Sequence, residues 1–219
     1  MKRDGIVKGK FISFEGPDGA GKTTALNKVV TDLTPVLKDK LVVTREPGGN
    51  RISEAIRHII LDRKNTEMDD RTEALLYAAA RRQHIVETIQ PALDENKLVL
   101  CDRYIDSSVA YQGAGRQIGT TEVYQMNLFA TGGLLPNLTI YFDVPSEVGL
   151  QRIMTHRTDE INRLDVEQLS FHQRVRKSYL EIAKAQPQRI KVIDATKSKD
   201  QVVQDVEKII YAANQEFFN

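Results

Sequence analysis

The fold is decided by one glycine-rich stretch, Gly16-Pro17-Asp18-Gly19-Ala20-Gly21-Lys22-Thr23, which matches the pattern G-x-x-x-x-G-K-[ST]. An apolar run at residues 11–14 precedes it, and apolar residues at helical spacing follow it over residues 25–33. Glycines let consecutive backbone N–H groups turn inward, and the positive end of the next helix adds to their attraction for phosphate oxygens. The stretch is therefore predicted to be a phosphate-binding loop between a strand and a helix.

Similar apolar runs recur along the chain and alternate with longer stretches of helical periodicity. The predicted strands are residues 11–14, 41–44, 98–101, 138–142 and 190–193. The longest predicted helix runs from about residue 71 to 96, and Pro91 is expected to kink or interrupt its end. Alternation of this kind favours a parallel sheet covered on both faces. The predicted fold class is α/β, a P-loop NTPase three-layer sandwich with a five-stranded parallel sheet flanked by helices.

The composition restricts the partners and the compartment. With 219 residues the chain is expected to form a single domain over residues 1–219. Its 31 Lys and Arg balance 30 Asp and Glu, so it has no broad positive field for nucleic acid. No stretch is apolar and long enough to span a bilayer, so no membrane partner is expected. The single cysteine, Cys101, excludes an intrachain disulfide framework and favours a cytoplasmic protein.

A polar, arginine-rich segment at about residues 149–165 lies between two stretches with apolar periodicity. One interpretation is a flap, or lid, that covers a site. The other is an ordinary solvated helix face, which composition alone favours. Both interpretations stay open at this point.

The loop also predicts the chemistry of a nucleotide site. Lys22 is expected to reach the β and γ phosphates, and the Thr23 hydroxyl is expected to coordinate Mg²⁺, so ATP with magnesium is the implied co-substrate. Asp102 ends the apolar run at residues 98–101 and is the candidate carboxylate for the metal; its alternative role is a helix cap or a turn. The predicted ATP-binding residues are Gly16, Pro17, Asp18, Gly19, Ala20, Gly21, Lys22, Thr23 and Thr24.

Two other classes of P-loop protein lack their required residues here. A GTPase has an Asn-Lys-x-Asp motif that reads guanine, and neither Asn27-Lys28 nor Asn96-Lys97 is followed by that aspartate. A partitioning ATPase of the dimer-sandwich type has a second lysine directly after the first loop glycine, where this chain has Pro17. Both classes are disfavoured.

Three motifs give the chain a family resemblance. They are Phe14-Glu15-Gly16, Arg45-Glu46-Pro47-Gly48-Gly49 and Asp102-Arg103-Tyr104, the last followed by Ile105-Asp106-Ser107-Ser108 and Ala110-Tyr111-Gln112-Gly113. In these motifs, their order and their spacing, the chain resembles thymidylate kinases from Phe11 to the C-terminal helix. The resemblance implies transfer of the γ-phosphate of Mg·ATP to dTMP, giving dTDP for dTTP synthesis, by a homodimer.

The resemblance also assigns residues to the acceptor. Arg103, Arg57 and Arg45 are expected to hold its phosphate, since a guanidinium binds two oxygens at once. The base is expected to stack on Tyr77, where the family usually has Phe, and to be read by Arg81 at thymine O4 and by Ser108 and Gln112. Tyr111 is expected to exclude a ribose 2′-OH, and Asp18 to anchor the 3′-OH. The implied dTMP-binding set is Asp18, Arg45, Pro47, Arg57, Tyr77, Arg81, Arg103, Ser108, Tyr111 and Gln112.

An acidic residue in the loop implies, within the family, that catalytic arginines come from the flap. The implied catalytic set is Lys22, Arg103, Arg152, Arg157 and Arg163, with no choice made among the last three. At Arg51 and Ser53 the chain departs from the Pro and Gly that are frequent in the family, so the local turn is expected to differ while the spacing to Arg57 is unchanged. Residues 194–196 resemble the segment that borders adenine and also fit a helix cap.

Two other functions stay open. One is a kinase for another nucleoside monophosphate or for a deoxynucleoside in the same fold. The other, of a different class, is a P-loop switch that binds ATP without an acceptor.

Overall fold

The structure is a computed structural model that describes residues 9–156, 164 and 167–218. Its sheet has five strands in the order β2-β3-β1-β4-β5, and every neighbouring pair is parallel. The strands are β1 (Lys10–Glu15), β2 (Leu41–Arg45), β3 (Leu98–Asp102), β4 (Leu138–Asp143) and β5 (Ile190–Asp194). The predicted number, direction and position of the strands are confirmed.

Helices connect the strands and cover both faces of the sheet. The α-helices are α1 (Lys22–Leu37), α2 (Arg51–Leu61), α3 (Asp70–His84), α4 (Gln90–Asp94), α5 (Ile105–Ser108), α6 (Thr120–Thr131), α7 (Ser146–His156), α8 (Leu169–Ala185) and α9 (Lys199–Ala213). Two π-helical segments, Ile85–Ile89 and Val109–Gly115, and two short 3-10 helices, Lys38–Lys40 and Gln215–Phe217, complete the secondary structure of the described residues.

Two apolar layers pack against opposite faces of the sheet. Successive side chains of β1 point to opposite faces, and Phe11, Ile12 and Phe14 are all fully buried. Ile12 and Phe14 belong to a cluster with residues of α1 and α9, whereas Phe11 packs with Ile89 and Ile105 on the other face. This arrangement of helices, sheet and helices is the predicted three-layer sandwich.

The long predicted helix is interrupted, as expected, but the interruption begins before the proline. The α-helix ends at His84, a π-helical turn covers Ile85–Ile89, and Pro91 lies in the first turn of α4. Proline has no N–H to donate, and its ring clashes with the carbonyl one turn earlier. Widening the preceding turn accommodates both effects while the chain continues in the same direction.

The order of the strands fixes where a ligand can bind. The chain leaves β1 for β2 and β3 on one side and later adds β4 and β5 on the other. In such sheets ligands bind beyond the carboxyl ends of the strands at this switch point. Because Phe14 of β1 pairs in register with Asp102 of β3, the loop after β1 and the end of β3 lie side by side.

Candidate active site

The loop at residues 16–21 has a backbone that requires glycine at defined points. Gly19 has φ +75°, and a Cβ there would lie 2.2 Å from the carbonyl oxygen of Gly149 in α7. Gly21 has φ +82° and is the N-cap of α1. The left-handed conformation and the close approach of α7 both exclude a side chain at Gly19, so this part of the motif is explained by backbone geometry.

Lys22 lies at the start of α1 with its ammonium group inside the loop. Its Nζ donates to the carbonyl oxygens of Gly16 and Pro17, each at 2.9 Å. Burial, reinforced by the positive charge of Arg103, lowers the pKa of Lys22 from 10.5 to about 8. A bound polyphosphate would favour the charged ammonium and reverse this shift.

The two predicted metal ligands contact each other. Thr23 Oγ1 donates to Asp102 Oδ2 at 3.0 Å. The other carboxylate oxygen, Asp102 Oδ1, is buried and has no hydrogen-bond partner among the described residues. A buried acceptor without a donor calls for a further ligand, and hydroxyl and carboxylate oxygens are the donors that Mg²⁺ prefers. These two residues therefore fit the predicted ion.

Two cavities meet at the start of α1. One, of about 490 Å³, lies on the side of β2 and β3, and the other, of about 410 Å³, lies between the loop and the segment after β5. Lys22, Thr23 and Thr24 line both cavities. A group in one cavity can therefore approach a group in the other at the loop lysine. The larger cavity is lined by the residues predicted to bind the phosphate acceptor, and we call it the acceptor cavity. The smaller is lined by the loop predicted to bind the phosphate donor, and we call it the donor cavity.

The donor cavity is bounded by residues from the loop, α7 and the segment after β5. Ala195 lines it, whereas the Asp194 carboxylate accepts from the Thr196 N–H at 2.9 Å and so forms a local turn. Arg152 lines the same cavity, and its Nη1 donates to the carbonyl of Ala195 at 3.1 Å and to that of Gly19 at 3.4 Å. The predicted adenine border and the first flap arginine are thus adjacent.

The predicted flap is described only in part. Its first residues, up to His156, belong to α7, and both interpretations of the segment remain predictions. Two of the three candidate flap arginines, Arg157 and Arg163, lie outside the described residues.

Arg103 links the acceptor cavity to the loop. Its Nη2 donates to Asp18 Oδ1 at 2.8 Å, and its Nη1 donates to the carbonyl of Gly16 at 3.0 Å and to Ser107 Oγ at 3.1 Å. Its φ of +71° is uncommon for a residue with a side chain, so these contacts hold a sparsely populated backbone conformation. Burial alone would lower the pKa of Arg103, but the Asp18 carboxylate and other neighbours raise it well above its ordinary value.

Two more arginines line the same cavity. Arg57 Nη1 donates to the carbonyl of Pro47 at 2.9 Å, and Arg45 Nη2 donates to Glu54 at 2.7 Å. Burial and, to a lesser extent, the charge of Arg45 lower the pKa of Arg57. A phosphate dianion beside Arg57 would favour its charged form.

The departures at Arg51 and Ser53 leave the position of Arg57 intact. Helix α2 begins at Arg51, and the Asn50 side chain caps it by accepting from the Ser53 N–H at 2.9 Å. Ser53 Oγ also donates to the carbonyl of Ala80 at 2.8 Å, which fastens α2 to α3. Both residues are therefore accommodated locally, and Arg57 still reaches the cavity.

Arg81 is almost completely buried, with 2% of its surface exposed. Its Nε donates to Glu46 at 2.6 Å, its Nη1 to Ser108 at 3.0 Å and to Asn127, and its Nη2 to the carbonyl of Tyr104 at 3.1 Å. A guanidinium has five N–H groups. These four hydrogen bonds use four of the five N–H groups and leave one N–H of Nη2. Arg81 also lines the acceptor cavity.

Three other predicted acceptor residues line the cavity as well. The Tyr111 hydroxyl donates to Asp18 Oδ2 at 2.8 Å, and burial raises the pKa of Tyr111 well above its ordinary value. Gln112 Nε2 donates to the buried Glu73 at 2.8 Å. Burial also raises the pKa of Tyr77, so both phenols stay neutral near pH 7. The structure thus brings the whole predicted dTMP-binding set to one cavity, and the role of each member stays a prediction.

The segment that carries Tyr111 and Gln112 is π-helical. It packs against α8, and a Cβ at Gly115 would lie 2.6 Å from the Phe171 ring. Glycine is therefore required for this close approach, and Tyr111 and Gln112 line the cavity from a π-helical turn, a feature that is frequent at functional sites. A helical i, i+4 pattern alone did not predict this.

A buried network behind Arg103 was missed. Glu15 accepts from the Tyr104 N–H at 2.7 Å, from Ser107 Oγ at 2.5 Å and from the Tyr179 hydroxyl at 3.0 Å. Burial, reinforced by the charge of Asp106, raises the pKa of Glu15 to about 7. A carboxylate at the end of an apolar strand was the available signal, since such a group needs buried donors. Glu46, one residue after β2, is a second buried carboxylate, and it accepts from Arg81 Nε at 2.6 Å.

Known proteins match the chain over most of its length. The thymidylate kinase family model matches residues 14–206. The thymidylate kinase of Pediococcus pentosaceus is 68% identical over 204 residues, which cover 93% of this chain and 98% of the relative. That of Lactiplantibacillus plantarum is 69% identical over 198 residues, which cover 90% of each.

A solved structure shows the same fold. The crystal structure of thymidylate kinase from Ehrlichia chaffeensis superposes with a TM-score of 0.75 at 33% identity, over 93% of this chain and 99% of that one. The family predicted from the motifs and the predicted fold class are therefore both confirmed. Together, the family model and these relatives show that the chain belongs to the thymidylate kinase family.

Proposed function

We propose that this chain transfers the γ-phosphoryl group of Mg·ATP to dTMP and releases ADP and dTDP, the diphosphate required for dTTP synthesis. The observation that carries the proposal is that two cavities meet at Lys22, Thr23 and Thr24, and that the larger is lined by Arg45, Arg57 and Arg103. A phosphate-binding loop between two ligand cavities suits transfer between two nucleotides. Family membership supports the same reaction.

On the donor side, the loop N–H groups and Lys22 bind the triphosphate, and adenine lies near Ala195. Thr23 and Asp102 would hold the magnesium ion. When bound, Mg²⁺ would neutralise negative charge that develops on the phosphates during transfer. The buried Asp102 Oδ1, which lacks a partner among the described residues, supports this role.

On the acceptor side, Arg103 places the dTMP phosphate beside the γ-phosphate, with Arg57 and Arg45 as further cations. Asp18 accepts from the 3′-OH, and Tyr111 packs against the deoxyribose. The base stacks on Tyr77, while Arg81, Ser108 and Gln112 read its polar edge. Positioning and electrostatic stabilisation supply most of the rate enhancement, and no covalent enzyme intermediate is needed.

Arginines of the flap are proposed to complete the charge stabilisation. Arg152 lies against the loop and the donor cavity, which supports its inclusion. Arg157 and Arg163 keep the same proposed role on the basis of sequence alone. We retain the proposal of one domain over residues 1–219, with the flap at about residues 149–165.

We propose a homodimer in the cytoplasm, without nucleic acid or membrane partners. Exposed apolar side chains on adjoining helices support an interface between copies: Phe129 in α6 is 91% exposed and Leu75 in α3 is 58% exposed. Within the described residues, no helix is both long and apolar enough to cross a membrane. Sedimentation of the chain and of Phe129→Asp tests the dimer. A dimer that the substitution converts to a monomer is expected, and a monomeric parent chain would refute it.

The reaction is tested by a coupled assay for ADP with purified chain, Mg·ATP and one acceptor at a time. We expect ADP formation with dTMP to exceed that with AMP, CMP, GMP or thymidine. A response to another monophosphate or to a deoxynucleoside, with none to dTMP, would assign a different kinase. ADP formation that no acceptor changes would indicate an ATP-binding switch.

A further inference from the structure

Glu73 lies behind the base-reading residues, in the first turn of α3. It is fully buried and does not line the acceptor cavity, whereas its partner Gln112 does. Gln112 Nε2 lies 2.8 Å from Glu73 Oε1. Arg116 also donates to this carboxylate, from Nε at 3.4 Å and from Nη2 at 3.3 Å. The carboxylate is thus a buried, charge-paired group in direct contact with a side chain of the cavity.

The chemistry of this contact determines which end of the Gln112 amide faces the ligand. An ionised carboxylate only accepts hydrogen bonds, whereas an amide donates from nitrogen and accepts at oxygen. The nitrogen must therefore face Glu73, and the carbonyl oxygen is left for the cavity. Reversing the amide would place two acceptor oxygens against each other inside the protein, which is costly for buried groups.

We infer that Glu73 is a positioning residue that fixes the Gln112 carbonyl toward the acceptor and thereby makes the site select a pyrimidine with an N3–H. The inference rests on the proposed function and deepens it. Thymine presents an acceptor at O4 beside a donor at N3. The remaining N–H of Arg81 and the carbonyl of Gln112 form the complementary pair, a donor beside an acceptor.

Cytosine inverts both groups of this edge. It has an amino donor at position 4, which would face the Arg81 guanidinium, and an acceptor at N3, which would face the Gln112 carbonyl. Each mismatch leaves a buried polar group unpaired. Uracil keeps the thymine pattern, so this arrangement separates dTMP from dCMP and does not separate dTMP from dUMP.

The test compares kcat/KM for dTMP and dCMP in the parent chain and in Glu73→Gln. The replacement amide can either donate or accept, so it no longer forces the orientation of Gln112. We expect the preference for dTMP over dCMP to fall about tenfold, as for one altered hydrogen bond. Arg116→Lys is the matched control, because it changes the other partner of the same carboxylate, keeps a positive charge beside it and leaves the contact with Gln112; its preference should match the parent's.

An unchanged preference in folded Glu73→Gln would overturn the inference, as would an equal loss of preference in Arg116→Lys. If Glu73→Gln does not fold, NMR of the parent chain decides. Nuclear Overhauser contacts from the Gln112 NH₂ protons to the Glu73 side chain are expected, and their absence would overturn the inference. A parent chain without dTMP-dependent turnover would instead refute the proposed function, and the same NMR contacts would still test Glu73.

Discussion

The guanidinium of Arg103 donates to the carboxylate of Asp18 at 2.8 Å, so the residue after β3 is fastened to the middle of the phosphate-binding loop. The Tyr111 hydroxyl donates to the other oxygen of the same carboxylate at 2.8 Å. The one acidic side chain of the loop therefore organises two residues of the acceptor cavity, while the loop backbone is proposed to surround the donor phosphates.

Replacing Arg103 tests this link. Arg103→Ala removes a cation that would lie between the two phosphates, so turnover should fall about 10³-fold or more. The melting temperature should also fall, because Asp18 loses its positive partner, but the chain should still fold and bind ATP. Arg103→Lys keeps the charge and loses the fork that binds two oxygens, so it should restore only a small part of the rate. Steady-state kinetics and ATP calorimetry provide the readouts. A near-normal rate in Arg103→Ala would exclude the assigned role.

The carboxylate of Asp102 is predicted to set the magnesium requirement. Asp102→Asn should raise the Mg²⁺ concentration for half-maximal rate on the order of tenfold, because an amide is a weaker ligand than a carboxylate. Chelation of the metal should stop turnover in the parent chain. Asp143→Asn is a matched control: Asp143 ends the other strand beside β1 and pairs with Arg176 at 2.8 Å. Equal magnesium requirements in both variants would refute the metal assignment.

ATP binding is predicted to take up protons through Lys22. In the free protein its pKa is about 8, so near pH 8 about half of the molecules have a neutral lysine. Phosphate charge raises the pKa, so binding should take up about half a proton per ATP at that pH. Calorimetry in two buffers with different ionisation enthalpies measures the uptake. Lys22→Met should abolish it, and proton release by the parent chain would contradict the prediction.

Glu15 is predicted to make stability depend on pH. Its pKa rises from 4.5 to about 7 on folding, so between these values the folded state binds more protons than the unfolded state. Its contribution to the free energy of unfolding is therefore fully present below pH 4.5 and is lost as pH rises through 7. The free energy of unfolding is measured in urea at pH 5 and at pH 7.5. Its change between the two pH values should be smaller in Glu15→Gln than in the parent chain, by on the order of 1–3 kcal/mol. Identical pH dependence in both would contradict this.

The strands were predictable because apolar runs report burial directly. Each predicted strand ends one residue before the observed one, and the added residues are all charged: Glu15, Arg45, Asp102, Asp143 and Asp194. Their side chains lie at the carboxyl edge of the sheet. Arg45 and Asp102 line the acceptor cavity and Asp143 pairs with Arg176, whereas Glu15 and Asp194 accept hydrogen bonds from neighbouring residues. A prediction based on apolar runs leaves out charged residues. It therefore misses the last residue of a strand that ends at the functional edge of the sheet.

The supporting contacts of the site were not predictable in the same way. Glu73 and Gln112 are 39 positions apart, and Glu15 and Tyr179 are 164 apart. Spacing along one helix predicts which residues share a face, but it does not predict which residue of another element meets them. The motifs could therefore identify the residues of the acceptor cavity, whereas the groups that orient Arg81 and Gln112 required the tertiary structure.

The central claim is that the γ-phosphate of ATP is transferred to dTMP, and following that phosphate tests it most directly. Purified chain is mixed with Mg·ATP labelled with ³²P at the γ position and with dTMP, and the products are separated by chromatography. The account predicts that the label appears in dTDP in step with ADP formation. Label found only in inorganic phosphate, with dTMP unchanged, would contradict it.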